Sequence, residues 1–596
     1  MSYRLWCISL LLLLLAFPAK ALEPPDPKPM PPILSSGPSR PVPLGSIVPS
    51  NQQISDTRTK LFLARILGWI RDYEHSLALY QEILDDHPEN YQTRREAART
   101  AYWAKDNQLG DSLYRQLFTP PVDKLLARRL AKAAKREKNR ELIPILRKLS
   151  PQNPTSTIFK DYESLERRLQ DQNSPIPAQI QEQVQDVLYD LKPEYVLHKQ
   201  AWLEYKAKQA MWNKRFIPAM HDLQALVRFE PENQEARFDL AQTQCVLGLC
   251  DQEADTYTRL LDLEPKHNLA RRALKRQKSR SSPALTTGYS LWEEEGRGEL
   301  SQMRRQRADM NLDVPFFCRH GLGLSYSRYW ENPKRHSGSV AANSLGLQGR
   351  ATLNAFWSGN FAVQVKDYLD NEYERQETGH LGLRLNAWDV ARFRFRFKRQ
   401  SILPNAFALE QGIYEDTWRI GVASAVTHAL SATIGGEYAD YSDDNSGVQA
   451  DAAVGYALTE HPREIKITVS GEYRHITNES QEIRTRQPDS EIQNNQGVVL
   501  TDISHPYWTP QDYLGTALTL EWRHDLSEFQ FCGTRENIYD LQLIVGTDTE
   551  SNPSLELKGT YSLDFAENWK LELEGMVHES RDWDARALHL GVKYRF

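Results

Sequence analysis

The chain has 596 residues, which exceeds the size of a single hydrophobic core, so the sequence predicts at least two domains. Its composition of 40% hydrophobic and 26% charged residues excludes a chain that is disordered throughout. The formal net charge of −6 conceals an asymmetry, because residues 281–596 carry 31 Lys+Arg and 45 Asp+Glu, whereas residues 1–280 carry 42 and 34. Beyond the first twenty residues no run of 18 apolar residues occurs, which excludes a polytopic helical membrane protein.

Residues 1–21 have the features of a secretory signal peptide. Arg4 supplies the positive charge, residues 10–16 form a short apolar run, and Ala19-Lys20-Ala21 matches a cleavage site, so we expect the mature chain to begin at Leu22. The alternative, a membrane anchor helix, is disfavoured because the apolar run is short and Pro18 interrupts it. Residues 22–54 are rich in proline, which builds neither helix nor sheet, and are predicted to form an extended linker.

Residues 55–278 show helical periodicity with a repeated layout. Apolar and small residues at helical spacings end in the turn sequences DDHPEN, RFEPEN and DLEPKH, and Pro231 and Pro265 are 34 residues apart. That period is typical of tetratricopeptide repeats, so we expect five or six helix pairs that stack into an all-α solenoid with a concave binding surface. The repeated positions are Tyr73, Ser76, Tyr80, Ile83 and Pro88; Ala97, Ala101 and Tyr114; Phe216, Ala219, Leu223, Leu226 and Pro231; Tyr257, Leu260 and Pro265; with Ala207, Leu240 and Ala241 at close helix contacts.

Two features of this region leave alternatives open. A basic stretch between Lys124 and Arg140 is either a binding face for an anionic partner or, as we favour, a solvated helix face. Cys245 and Cys250 flank Gly248 near a predicted turn and form either a disulfide with each other or two buried thiols.

Near residue 280 the periodicity changes to the strict alternation of strands. In residues 392–398 each Phe alternates with a cation, which places all the Phe side chains on one face and all the cations on the other. Sixteen such segments are predicted, each long enough to cross a bilayer at a steep tilt. Their expected first residues are 284, 303, 321, 344, 359, 379, 391, 413, 429, 448, 464, 514, 538, 553, 568 and 585.

The order of short and long connections favours a transmembrane barrel. Predicted turns at 357–359, 389–390 and 564–567 lie on one side, and the longest connection, 477–513, lies on the other. Lipid cannot satisfy unpaired backbone groups, so the sheet must close. The predicted architecture is thus multidomain: an N-terminal all-α tetratricopeptide solenoid followed by a C-terminal antiparallel transmembrane β-barrel of about sixteen strands over residues 281–596.

The alternation also predicts which side chains line the pore. Arg305, Arg307, Asp309, Asp313, Arg392, Arg394, Arg396 and Lys398 are expected to face a water-filled lumen. The sequence has no G-x-S-x-G, H-E-x-x-H or C-x-x-C motif, so we predict no catalytic residues, no metal site and no cofactor.

Two motifs carry a family resemblance. Gly591, Tyr594 and Phe596 at the chain end resemble the terminal strand that the barrel assembly machinery recognises. Residues 505–513 (HPYWTPQDY), with Tyr507, Trp508, Pro510, Gln511 and Tyr513, are similar to a segment before a late barrel strand in the cellulose export family, although Thr509 stands where a Ser is expected. Together with the domain order, the chain resembles tetratricopeptide-repeat outer-membrane exopolysaccharide export porins, such as cellulose synthase operon protein C and the poly-N-acetylglucosamine export porin.

The resemblance implies a function and a location. It implies an export porin in the outer membrane of a Gram-negative bacterium, with the repeat domain in the periplasm. The implied partners are an exopolysaccharide, a periplasmic polysaccharide-modifying enzyme or an inner-membrane synthase complex, outer-membrane lipids and the barrel assembly machinery, but no nucleic acid. The repeat domain would recruit the enzymes or guide the polymer into the barrel.

Other interpretations remain open at this stage. A surface-lipoprotein assembly modulator also joins tetratricopeptide repeats to a barrel and would handle protein cargo, and a barrel enzyme is a third, less favoured class. Cys318 and Cys532 are both expected at the periplasmic rim, several strands apart, and would form a disulfide only if residues 525–537 folded inward.

Overall fold

A computed structural model describes residues 56–118, 166–167, 170 and 178–596, apart from 299, 317–318, 334–338, 371, 487–497, 528–530 and 533. The predicted signal peptide, the linker, the basic stretch 124–140 and Cys318 lie outside the described residues. The chain forms two compact units: the first contains the residues up to Gln209 together with 222–232, and the second contains residues 210–221 and 233–596.

The N-terminal region is helical. Its described helices are α1 (Thr57–Trp69), α2 (Tyr73–Asp86), α3 (Tyr91–Trp103), α4 (Asn107–Phe118), α5 (Ala178–Trp212), α6 (Phe216–Phe229), α7 (Gln234–Val246), α8 (Cys250–Leu263) and α9 (Asn268–Arg280). In the part of the chain that the structure describes, no helix has both the length and the apolar character needed to cross a membrane.

The predicted turn sequences begin new helices. Asn90, the last residue of DDHPEN, accepts a hydrogen bond from the Thr93 amide at 3.1 Å and caps α3. Asn233 of RFEPEN caps α7 in the same way through the Ala236 amide at 2.9 Å. A polar side chain at this position satisfies an amide that the first turn leaves without a partner, and the proline two residues before it ends the preceding helix.

The first unit has an apolar core with one buried ionic cluster. Consecutive helices from α1 to α4 pack together, and Tyr80, Ala98, Leu113 and Tyr114 are buried among them. Glu204 from α5 is buried beside Arg95 and accepts a hydrogen bond from the Tyr114 hydroxyl at 2.8 Å. The side chains that the repeat pattern predicts as contacts are largely buried, while the tetratricopeptide assignment itself stays a prediction.

The C-terminal half is a closed antiparallel barrel of sixteen strands, which confirms the predicted fold class. The barrel strands are β1 (Ala284–Gly296), β2 (Ser301–Phe316), β3 (His320–Pro333), β4 (Val340–Thr352), β5 (Trp357–Tyr368), β6 (Gln376–Ala387), β7 (Ala391–Ser401), β8 (Tyr414–Ala425), β9 (Leu430–Tyr441), β10 (Ser446–Ala457), β11 (Arg463–Ile476), β14 (Tyr513–Asp525), β15 (Asn537–Asp548), β16 (Ser554–Leu563), β17 (Trp569–Ser580) and β18 (Trp583–Arg595). A separate hairpin, β12 (Gln481–Arg486) and β13 (Val498–Ser504), lies in the longest connection.

Closure depends on the pairing of the first and last strands. β1 pairs with β18 along its whole length, from Ala284 opposite Arg595 to Gly296 opposite Trp583. Every barrel strand begins within four residues of its predicted start, whereas β12 and β13 were not predicted. One predicted turn is wrong: Trp357, Ser358 and Gly359 lie inside β5, because residues 353–356 already reverse the chain. The Leu353 amide closes this turn by donating a hydrogen bond to the Trp357 carbonyl.

The outer surface of the barrel is apolar. Residues on strands all around the barrel, such as Leu345, Ile420, Ile434 and Val469, each expose 60% or more of their surface. A protein in water seldom exposes so continuous an apolar surface, whereas the outer face of a membrane barrel requires one. Exposed aromatic side chains lie near the end of the barrel where the chain terminates: Phe316, Trp357, Trp388, Trp522, Phe565, Trp569 and Phe596.

Candidate functional site: the barrel lumen and its two ends

The inner face of the barrel carries the charged residues. On β7, Phe393 and Phe395 are exposed on the apolar outer face, so Arg392, Arg394, Arg396 and Lys398 alternate onto the inner face. On β2, the outer face carries Met310, Leu312 and Val314. The predicted residues of β2 therefore share the inner face with those of β7: Arg305, Arg307, Asp309 and Asp313.

The β2 charges are paired with one another or with neighbouring strands. Arg305 lies 3.3 Å from Glu294 of β1, and Arg307 lies 2.6 Å from Asp309. Asp313 lies 2.7 Å from Arg350 of β4. These pairs neutralise this part of the wall, and the contribution of each residue to conduction stays a prediction.

Ion pairs continue around the ring from β7. Arg396 lies 3.8 Å from Glu437 of β9, which is also 3.5 Å from Arg419 of β8. Arg419 pairs in turn with Asp451 of β10. Arg396 and Arg419 are therefore paired with carboxylates of β9 and β10.

A buried pair inside the lumen was not foreseen from the sequence. Lys366 of β5 pairs with Glu331 of β3, and both side chains are almost completely buried. The Tyr368 hydroxyl lies 3.2 Å from Glu331, and the Lys366 ammonium lies 4.7 Å from the ring centres of Tyr329 and Tyr368. Strand alternation could have placed these residues inward, but their pairing depends on register.

We call the end of the barrel that holds the chain terminus the near end. There α9 is fixed to the β16–β17 turn by a buried ionic cluster, in which Asp564 contacts Arg276 and, at 3.3 Å, Arg595. Burial raises the pKa of Asp564, but hydrogen bonds from the Glu536 amide and Arg276 and the charges of both arginines outweigh this effect and hold the pKa below its ordinary value. The carboxylate is therefore ionised at neutral pH.

A disulfide joins the helices to the same end. Cys245 of α7 is bonded to Cys532 in the β14–β15 connection, with a Cα–Cα distance of 6.1 Å. Both pairings considered from the sequence, Cys245 with Cys250 and Cys318 with Cys532, are therefore wrong. Cys250 is disulfide-bonded as well, so the alternative of two buried thiols is also wrong. The β14–β15 connection brings Cys532 to α7, where Phe531 packs edge-on against Phe238 at 5.4 Å.

Further contacts distribute the helices around the near end. We call residues 210–221 and 233–280 the rim helices. Asp389 in the β6–β7 turn accepts a hydrogen bond from the Ile217 amide at 2.6 Å, and Trp212 stacks on His428 in the β8–β9 turn at 4.7 Å. Asp251 lies 3.0 Å from Arg319 in the β2–β3 turn. With the disulfide and the Asp564 cluster, the contacts of the described residues join the rim helices to turns on several sides of the near end.

At the opposite end, which we call the far end, two connections meet. Residues 402–413 join β7 to β8 and contain a short helix, α10 (Ala406–Glu410); residues 477–512 join β11 to β14. The Asn405 side chain donates to the carbonyls of Leu300, before β2, and of Pro506, at 3.2 and 2.8 Å. Since β2 and β7 are separated by several strands of the ring, residues 402–413 reach across the barrel. Leu409, Ile413, Ile503 and Met303 are buried there.

The motif at 505–513 lies within this far-end assembly. Asp443, in the β9–β10 turn, accepts hydrogen bonds from His505 at 2.7 Å and from the Tyr507 hydroxyl at 2.9 Å. The Tyr507 ring stacks on Tyr441 at 4.8 Å. The Gln511 side chain donates to the Ile476 carbonyl, and the Tyr513 ring meets Trp508 edge-on at 5.1 Å.

A half-buried arginine links this motif to the first hairpin. The Arg297 guanidinium lies 4.0 Å from the Trp508 ring centre and 4.6 Å from that of Trp583. Burial lowers the pKa of Arg297 to about 10, which leaves it charged at neutral pH. The pair of indole faces thus holds a cation where the β11–β14 connection meets the β1–β2 turn.

The terminal strand completes the near end. Gly591 lies opposite Gly288, the Tyr594 ring lies 4.7 Å from Trp569, and the Phe596 amide donates to the Pro283 carbonyl at 2.9 Å. These contacts close the barrel, and recognition of the three residues by an assembly machinery stays a prediction. Within the described ranges no group of His, Cys, Asp and Glu is arranged to hold a metal ion.

Comparisons with known proteins give no family assignment for this chain. No protein-family model matches the chain, and none of the curated proteins matches its sequence. Solved structures similar to it include a bacterial polysaccharide outer-membrane secretin, at 11% identity and a TM-score of 0.40, covering 53% of this chain and 99% of that one. Pseudomonas aeruginosa OccK5 has 7% identity and a TM-score of 0.27, covering 53% and 98%, and Acinetobacter baumannii OccAB4 has 8% and 0.28, covering 52% and 97%. Likeness at this level carries no argument about what passes through the barrel.

Proposed function

We propose that this chain is an outer-membrane export porin for a secreted polysaccharide, with its helical region on the periplasmic side. The observation that carries the proposal is a closed barrel with an apolar exterior, a charged interior and helices fastened to its near end. Such a barrel separates lipid from a polar interior, and its strands provide no internal source of energy. Transport is therefore passive, driven by synthesis elsewhere.

The lumen surface suits a hydrated sugar chain. Arginine and carboxylate side chains offer donors and acceptors to hydroxyl groups, and Trp292 on the inner face of β1 offers an aromatic surface beside Arg305. The two connections that meet at the far end favour an extended polymer over a folded cargo. In this proposal the rim helices place the periplasmic enzyme or synthase complex next to the near end.

The test is current blockade in planar bilayers. Because residues 402–413 reach across the far end, the experiment uses both the full chain and a variant in which Asp443→Ala loosens that end. Neutral linear maltoheptaose added on the near side is expected to produce transient, concentration-dependent blockades in the loosened variant.

An unstructured peptide of similar mass, added in the same way, addresses the alternative of protein cargo. Blockade by the peptide without blockade by the sugar would support the protein-cargo interpretation and overturn the export of polysaccharide. Absence of any conducting state in the loosened variant would overturn the conduit itself.

A further inference from the structure

Three arginines of the lumen have a different environment from the paired inward charges described above. Arg384 of β6 lies directly opposite Arg394 of β7, and Arg392 is two residues along the same strand from Arg394. Directly opposite positions on one face have Cβ atoms about 5 Å apart, and residues two apart on a strand are separated by about 7 Å. Three guanidinium groups thus project from one small area of wall, which we call the arginine patch.

Neighbouring strands supply no carboxylate to this patch. Arg392 lies opposite Asn386 and Ala423, and Arg394 lies opposite Gly421. Among the described residues, no ion pair or hydrogen bond joins the side chains of Arg384, Arg392 or Arg394 to an acidic group, and Arg392 and Arg394 are exposed. A Cβ built on Gly421 would meet only the Ile434 carbonyl oxygen at 3.7 Å, so space remains beside Arg394.

The opposite wall of the ring is acidic but satisfied internally. On the inner face of β16 and β17, Glu574 lies 3.2 Å from Lys558, and Glu556 lies 3.2 Å from His578. Glu572 lies 2.8 Å from Lys570. Glu574 and Glu572 therefore have lysine partners within the wall and Glu556 has an imidazole partner, whereas the arginine patch has no acidic partner among the described residues.

Like charges on directly opposite residues repel, and an anion placed between them removes the repulsion while accepting several charge-assisted hydrogen bonds. From this we infer that the arginine patch, just inside the near end, binds the anionic groups of the transported polymer, so that the polymer is an acidic polysaccharide bearing carboxylates. This inference rests on the proposed function and specifies its substrate class.

The position of the patch fits an entry site. Arg384 and Arg392 lie close to the β6–β7 turn, where Asp389 receives the Ile217 amide of the rim helices. A polymer that passes the rim helices reaches these arginines before the paired charges of Arg396 and Arg419 farther along the barrel. Entry is therefore the step at which charge is selected.

The experiment measures equilibrium binding of fluorescently labelled oligogalacturonate to the full chain in detergent, by anisotropy at low salt. The triple variant Arg384→Gln, Arg392→Gln, Arg394→Gln is expected to weaken binding by about thirtyfold or more, since charge-assisted hydrogen bonds contribute strongly to recognition. The corresponding triple lysine variant keeps the charges and is expected to retain most of the affinity.

Matched controls separate this site from the rest of the lumen. Arg350→Gln removes an inward arginine that already has Asp313 as its partner, and its effect is expected to be within about twofold. Heat-dependent electrophoretic mobility shows that each variant retains the folded barrel. Equal binding by the wild type and the triple glutamine variant, or no binding by a folded wild type, would overturn the inference. Maltoheptaose blockade would still stand in either case, so failure here is distinguishable from failure of the export function.

Discussion

The two ends of the barrel are covered by different kinds of contact. At the near end the helices are held by a disulfide and by a buried carboxylate shared between two arginines. At the far end residues 402–413 and the described residues of the β11–β14 connection are held by neutral or singly charged hydrogen bonds and by aromatic stacking. Covalent and buried ionic contacts resist opening far more than exchangeable hydrogen bonds do.

This difference indicates which end opens. If the chain conducts a polymer, one end must rearrange while the other keeps the helices in place. By these contacts, the near end is the permanent junction, which keeps the helices on the barrel, and the far end is the movable junction, which opens. The following predictions test that division.

The largest effect is expected from Asp564→Ala. Arg276 and Arg595 would then remain buried without a carboxylate, which typically costs about 3–5 kcal/mol. Urea-induced unfolding of the barrel is the measurement, and the loss of heat-dependent electrophoretic mobility is its readout. Glu567→Gln is the matched control, because Glu567 and its partner Lys275 are both exposed and water screens such a pair, so its contribution to stability is small. Equal stability of the two variants would show that the near-end junction does not depend on the buried cluster.

Loss of the disulfide should have the next largest effect. Cys532→Ser is expected to lower the free energy of unfolding by about 2–4 kcal/mol, since the bond joins residues that are 287 positions apart. Hydrogen exchange of α7 should rise in parallel, and a non-reduced digest of the wild type should contain the peptide pair that includes Cys245 and Cys532.

The double variant with Cys245→Ser provides the control for this bond. It should be no less stable than the single variant if the only loss is the covalent link. A wild-type digest without the linked peptides would contradict the pairing directly.

At the far end, Asp443→Ala should alter gating more than stability. The change removes the acceptor shared by His505 and Tyr507, a loss of about 1–3 kcal/mol at this junction. Single-channel recording should show a higher open probability than for the wild type. The neighbouring change Asp444→Asn, on the same turn, is expected to leave open probability unchanged. Identical gating in the wild type and Asp443→Ala would remove the assignment of the far end as the movable one.

The barrel was predictable from the sequence because alternation is local. Each strand needs one apolar face, and residues 392–398 or 589–596 display it without reference to any neighbour. The helical turns were predictable for the same reason, since a proline followed by a capping residue acts within one turn. The turn misplaced at 357–359 shows that strand ends are less constrained than strand centres.

The contacts that distinguish the two ends could not be predicted in this way. Cys245 and Cys532 are brought together by the position of α7 on the rim, and no local pattern encodes that position. Likewise the pairing of Arg384 with Arg394, rather than with an acidic residue, depends on the register of β6 and β7. Sequence alternation indicated an inward cationic row, but only strand register reveals which of its members have no carboxylate partner.

The smallest effect concerns the pH response of the near end. Glu253 of α8 is buried beside Arg280, at 3.2 Å, and burial raises its pKa to about 7. Because the folded state holds this proton more tightly than the unfolded state, the protonated form stabilises the fold at low pH. That contribution is lost as the pH rises from the ordinary carboxyl value through 7.

The wild type should therefore lose stability between pH 5 and pH 8 that Glu253→Gln does not lose, because glutamine keeps a neutral side chain at every pH. Thermal unfolding at both pH values measures the difference, and Asp262→Asn, on the exposed face of the same helix, should preserve the wild-type slope. A Glu253→Gln variant with the full wild-type slope would assign the pH response to another group. The disulfide lies beside this carboxyl, since Arg280 also contacts the Cys245 sulfur at 3.1 Å. If Glu253→Gln removes the pH dependence, proton binding to Glu253 changes the stability of the near-end junction while that junction stays closed.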